Sequence, residues 1–256
     1  MPRPSPDANL TARPHTAAGA QEKVQEKEPR MMLFDVYVPR GALDADERRA
    51  LGRRLIEAFM VDNGMHASEV LGAARTLTQA LVHETDAWVL GQRPEEGESD
   101  PADPPRYVVR LSVPAAWRKD MSANAIEMVT KALAETEEAA GRDPEHLWLA
   151  PHAMVHVVGV SEGGIGFYGK SFGAEDLLEE LTRAYRRNLA QGQVSAPPPG
   201  RLLDPVCGMT VEEDTDLTLV HGGTVYGFCH HTCRRRYAEE HGLRTQLVNL
   251  DALNDA

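Results

Sequence analysis

The chain has three cysteines, Cys207, Cys229 and Cys233, and all fall in its last fifth. Twenty-one residues separate the first two, and three separate the second pair. Three thiolates brought together would hold a soft or borderline ion, zinc or copper(I). Cys229 and Cys233, four positions apart, would share one face of a helix, and a helix N-terminus would favour thiolate at Cys229. His230, His231, Asp204 and Met209 each offer a fourth ligand. His230, three positions before Cys233, is the best placed, and a three-coordinate copper(I) site would need none of them. Two other readings stay open. The cysteines could be small apolar filler, or Cys229 and Cys233 could be a redox pair that bridges only with distortion.

The elements that must position these thiols are short. "LLDPVCGMTV" (202–211) places Cys207 in a turn. "LTLV", a "HGG" turn and "TVYGF" then read as a β-hairpin. "CHHTCRRRYAEEHG" reads as a helix ended by Gly242, with the Arg234–Arg236 run in its last turns or on its wet face. This small β-hairpin–helix module spans 202–256, after a linker, "QGQVSAPPPG", at 191–201. A unit of this size needs a staple to fold. On "DPVCGM" (204–209) and "YGFCHHTC" (226–233) it resembles the YHS domain, and more loosely the TRASH-type metal-binding knuckles. Tyr237 stands where the YHS family commonly has Phe. The resemblance implies heavy-metal binding or sensing.

Residues 1–30 lack apolar periodicity and are expected to be a disordered tail. Order begins with "MMLFDVYVP", a strand. Asp44 and Glu47 then have the spacing of a capping box, and Leu51, Leu55, Ile56 and Phe59 mark one helical face. "RTLTQALVH" (75–83) alternates like a strand. An acidic linker at 94–105 follows, and the pattern restarts: a strand at 106–114, a helix at 121–141 with Ile126, Val129 and Leu133 inward, and a strand at 152–160. "FDVYVP" answers "VVRLSVP", and "ALVH" answers "AMVH", placing His83 and His156 equivalently. The expected fold is α/β (α+β): two β-α-β copies, each with parallel strands, in one four-stranded sheet with two helices on one face. A helix at 174–190, or another subunit, would cover the open face. The first domain is thus 31–190.

"MLFDVYVPRGALDADERRALGRRLIEAF" resembles the opening of the tautomerase superfamily, of 4-oxalocrotonate tautomerase and macrophage migration inhibitory factor type. "VSEGGIGFYGK" (160–170) is similar to that family's glycine-rich turn. The resemblance implies trimers and keto–enol chemistry on a small 2-oxo acid, with an N-terminal proline as base. Here Met32 holds the proline's place, Pro105 is internal, and Ala42 stands where the family has an arginine. Arg40, Arg106 and His156 are the candidates for binding a carboxylate if a pocket is kept. "GIGFYGKS" (164–171) matches the phosphate-loop pattern G-x-x-x-x-G-K-[ST] and offers Lys170 to a nucleotide. It closes its domain, however, and carries bulky Phe167 and Tyr168.

With 256 residues and a formal net charge of −12, general nucleic-acid binding is excluded. No stretch approaches the length of a membrane helix, and the first thirty residues lack a signal peptide's apolar core. The expectation is a cytoplasmic homo-oligomer: a metal-binding module (zinc or copper) on a tautomerase-like scaffold, concerned with metal handling or sensing. The alternative is an active tautomerase with an appended metal module.

Overall fold

The computed structural model describes residues 32–62, 64–91 and 105–243. The expected tail, nearly all of the acidic linker and the last thirteen residues of the C-terminal unit lie outside the described residues. Strand β1 (Leu33–Pro39) alternates, with Phe34, Val36 and Val38 fully buried. Helix α1 (Ala45–Phe59) opens with the expected capping box. The Asp44 carboxylate accepts from the Asp46 and Glu47 amides, and the Glu47 carboxylate accepts from Asp44 N–H.

A second helix, α2 (Ser68–Leu77), occupies ground partly read as strand. Val70, Leu71, Ala74 and Leu77 bury at helical spacing, so strand β2 (Gln79–Thr85) starts only after Thr78. Strand β3 (Tyr107–Pro114) runs directly into α3 (Ala115–Ala139). That helix starts six residues before the predicted position. Its first turns are largely exposed, so no apolar stripe marks them, and propensity carries them. The buried stripe is Met121, Ala125, Val129, Ala132 and Leu133, whereas Ile126 faces outward. A short helix α4 (His146–Leu149) leads to strand β4 (Ala153–Val160).

The sheet order is β2-β1-β3-β4. β1 is parallel to β2, β3 is parallel to β4, and the two pairs meet antiparallel through β1 and β3. This is the expected duplicated β-α-β sheet, a mixed α/β architecture. The repeat contains a slip. Val36 faces Val82 and Leu111 faces Val157. Aligning Pro39 with Pro114 matches Val36 with Leu111, so Val157, not Val155, corresponds to Val82. The two-residue offset preserves the face but changes the row. His83 therefore lies opposite Tyr37 and His156 opposite Arg110, and they are not equivalent.

"GIGFYGKS" forms a hairpin, β5 (Ile165–Phe167) and β6 (Lys170–Phe172), turning at Tyr168 and Gly169. Helix α5 (Ala174–Ala190) packs against α2 and α3, with Leu177, Leu181 and Tyr185 in the main core. It therefore belongs to the helical layer, and among the described residues no element covers the other sheet face. Leu81, Met154 and Val158 remain exposed there. The C-terminal unit comprises β7 (Arg201–Leu203), β8 (Thr210–Glu212), β9 (Thr218–His221), β10 (Thr224–Gly227) and α6 (His231–Glu240). A Gly222–Gly223 turn with both φ positive joins β9 to β10, as a tight hairpin requires.

One buried network ties α1, α3 and β3 together. Glu137, fully buried, accepts from Tyr107 Oη and from Arg142 at 2.9 Å and 3.1 Å. Arg142 also reaches Glu47 of the capping box at 2.7 Å. Burial and Glu137 together hold the Tyr107 phenol far above its usual range. Glu137→Ala would leave the buried Tyr107 hydroxyl without this acceptor and Arg142 with Glu47 alone, and we expect a loss of about 1–3 kcal/mol, read from denaturant unfolding.

Candidate metal centre

Cys207 sits on the six-residue connection between β7 and β8, whose paired ends are Leu203 and Thr210. The connection closes on itself. Asp204 N–H donates to Met209 O at 2.8 Å, and Gly208 N–H donates to Asp204 O at 2.9 Å. The Asp204 side chain completes the loop. Its Oδ1 accepts from the amides of Val206 (2.8 Å) and Cys207 (3.3 Å), and its Oδ2 from the amide of Cys229 (3.0 Å). One carboxylate thus fixes the Cys207 turn and the segment entering α6.

Cys229 lies just before α6, and His230 is the helix N-cap. The two later cysteines are therefore not on one helix, although they still meet. Cys207 Sγ is 3.4 Å from Cys229 Sγ, which is 3.8 Å from Cys233 Sγ. Among the described residues, Asp204, Cys207, Cys229 and Cys233 form a group whose ligand atoms all lie within 4.8 Å of one another. Tetrahedral zinc with bonds of about 2.3 Å to sulfur sets neighbouring sulfurs roughly 3.8 Å apart, so the donor spacing fits. Asp204, Cys207 and Cys233 are buried and Cys229 is half-buried.

The electrostatics favour a cation. Hydrogen bonds from the other two thiols, aided by the Met209 N–H, hold Cys207 well below the ordinary thiol range. Hydrogen bonding to Cys207 first, and burial with the Cys207 charge after it, push Cys229 and Cys233 up, whereas Asp204 is raised first by burial and then by Cys207. Four acidic groups this close cannot all ionise alone; a divalent ion lets them do so.

His230, the best placed of the four candidates in the sequence, is engaged elsewhere. Its Nδ1 accepts from Thr232 N–H at 3.2 Å, and its Nε2 is 3.4 Å from Asp120. His231 is exposed, and Met209 is buried in the apolar cluster around Cys207. Asp204, one of four sequence candidates, is the residue that joins the thiols.

The other candidates lie on the sheet of the first domain or beside its strands. Arg40 pairs with Asp86 at the exposed end of β1. Arg106 stands one residue before β3 with its Nε buried and without a hydrogen bond. His156 is exposed in the middle of β4, and none of the three lines the cleft of about 410 Å³ between α1 and β2. That cleft holds Arg48, Arg49 and Arg53; Arg48 pairs with Glu84 and Arg49 with Asp46. The N-terminus of α5, where a phosphate would sit after "GIGFYGKS", is taken by carboxylates. Glu162 accepts from Ala174 N–H and Asp176 from Gly173 N–H.

The arginine run also departs from expectation. It lies in the body of α6, where Arg235 pairs with Glu175 at 3.1 Å and Arg236 with Glu179 at 3.2 Å, both acids on α5. The sequence alone does not reveal α5 as a neighbour of the cysteines. Leu178, spaced with Leu177 and Leu181, is legible there only as one more apolar position; in the fold it packs in the Cys207–Cys233 cluster.

No protein-family model and no curated protein matches the sequence. Several solved structures are similar to part of the chain. A member of the cis-3-chloroacrylic acid dehalogenase (cis-CaaD) family is 18% identical, with 62% of this chain and 99% of that chain covered and a TM-score of 0.41. A fused 4-OT wild-type asymmetric trimer is 19% identical over 54% of this chain and 94% of its own, at a TM-score of 0.38. A macrophage migration inhibitory factor-like protein from Entamoeba histolytica is 11% identical over 56% and 99%, at a TM-score of 0.37.

Asp204→Ala would remove the carboxylate that accepts from the Val206, Cys207 and Cys229 amides, at about 1–3 kcal/mol for each buried amide. We expect hydrogen exchange at Val206, Cys207 and Cys229 to accelerate sharply while the β1–β4 sheet keeps its protection.

Proposed function

We propose that the chain binds one metal ion through Cys207, Cys229, Cys233 and Asp204, and that it serves metal handling or sensing. The observation that carries this reading is the buried group of three thiols and one carboxylate within 4.8 Å. Zinc is preferred over copper(I). A carboxylate oxygen suits zinc, whereas copper(I) favours all-sulfur sites. The YHS-like motifs at 204–209 and 226–233 agree with this assignment. Cytoplasmic residence is part of the same proposal, because reduced thiols are the metal-competent state. Among the described residues no helix is long and apolar enough to cross a membrane.

Tautomerase turnover of a small 2-oxo acid is the weaker reading. The nitrogen at the start of β1 is the amide of Met32, which donates to Thr78 Oγ1 at 3.3 Å and offers no free amine. Arg40 is held by Asp86, and the Arg106 Nε is buried rather than presented to a ligand. For the first domain we propose a scaffold role, with the uncovered sheet face assembling with further copies into a trimer. Light scattering is expected to return about three chain masses. A monomer at micromolar concentration would overturn that assembly.

Elemental analysis of protein purified without a chelating tag should find about one zinc per chain. A Cys207→Ser, Cys233→Ser double variant should contain none. Affinity should fall as pH is lowered, because the ligands must lose protons to bind. A metal-free chain that also fails to take up zinc under reducing conditions would refute the assignment.

A further inference from the structure

The walls of the metal centre come from two parts of the chain. Tyr185, on α5, is 1% exposed, and its hydroxyl donates to Asp204 O at 3.2 Å. That carbonyl also receives Gly208 N–H, the bond that closes the Cys207 turn. Gly208 has φ +74°, and the space beside it is filled. A Cβ there would lie 2.6 Å from the Tyr185 ring and 2.9 Å from Ala67 Cβ. Thr210 N–H donates to Met65 O at 2.7 Å, extending the seam to the loop before α2. Leu178, two helical turns before Tyr185, packs with Val206, Cys207, Met209, Phe228, Cys233 and Tyr237. The outer edge is held by charge: Arg235–Glu175, Arg236–Glu179 and Arg186–Glu240.

We propose that α5 is part of the metal site, with Tyr185 and Leu178 as positioning residues. Metal affinity then depends on the seating of residues 201–243 against α5, and metal binding tightens that seat. The proposal rests on the metal reading above. Its physical basis is the position of Asp204. The side chain aligns the amides of Cys207 and Cys229, and the main-chain carbonyl is anchored by Tyr185. A shift of α5 therefore moves the residue that registers the ligands. Groups that orient ligands without touching the metal commonly change affinity about 10–100-fold when lost. Reciprocity follows from linkage: whatever docking contributes to binding, binding returns to docking.

The test uses the full chain and zinc alone. Tyr185→Phe keeps the ring against Gly208 and removes only the hydroxyl. Zinc affinity, from competition with a chromophoric chelator, is expected to fall about tenfold, with the thermal midpoint of the metal-free chain little changed. Leu178→Ala should weaken zinc binding further. In hydrogen-exchange mass spectrometry, zinc should slow exchange in peptides from 65–71 and 177–190 of the wild type. It should not do so in the Cys207→Ser, Cys233→Ser variant. Wild-type zinc affinity in Tyr185→Phe, or protection confined to 202–243, would overturn the proposal while leaving the metal site standing. A wild-type chain that takes up no zinc would overturn both.

Discussion

A single buried carboxylate organises the C-terminal unit. Asp204 has no solvent contact, and its two oxygens accept from three amides on two separate segments. A charged or polar group buried this deeply is tolerable only when its hydrogen bonds are made. Those bonds in turn dictate where Cys207 and Cys229 lie. The thiol cluster is thus a consequence of satisfying Asp204. The same residue, through its carbonyl, is the point at which the first domain takes hold.

The first domain is organised around one apolar core and one buried ionic network. Its core is one face of a four-stranded sheet packed under α1, α3 and their neighbours, and the buried Glu137 network spans three elements. The opposite sheet face carries a polar row in which His83 approaches Asp35, stacks on Tyr37, and Arg110 lies over the Tyr37 ring. These groups serve one another, while Leu81, Met154 and Val158 remain exposed around them. Such a face is suited to burial by another copy, with little unpaired charge to desolvate.

The charge distribution follows the same division. A chain of net charge −12 concentrates three arginines in one helical stretch. Arg235 and Arg236 meet acids of α5, and Arg236 also pairs with Glu240 of its own helix. Exposed pairs of this kind contribute roughly 0–1 kcal/mol each, so they orient the seam more than they stabilise it. Most of the hold comes from Tyr185, Leu178 and the close approach at Gly208, where buried surfaces meet.

Much of this was determined by the sequence alone, because it depends on neighbours close along the chain. The capping box at Asp44 and Glu47 is a three-residue relation. The α5 boundaries follow its apolar spacing, and the hairpin of β9 and β10 follows from Gly222–Gly223. The duplicated β-α-β order was also legible, since each copy repeats the same short pattern. Tertiary structure alone decided whatever depends on residues distant in sequence. The two-residue slip between repeats comes from strand pairing, which short matching words cannot register. The fourth member of the thiol cluster is Asp204 rather than His230 because capping α6 fixes the imidazole elsewhere. The arginines face α5 because α5 lies there, in the helical layer, and not across the open sheet. Local spacing sets what each element can be; which side chains meet is set by packing, and only the folded chain evaluates that.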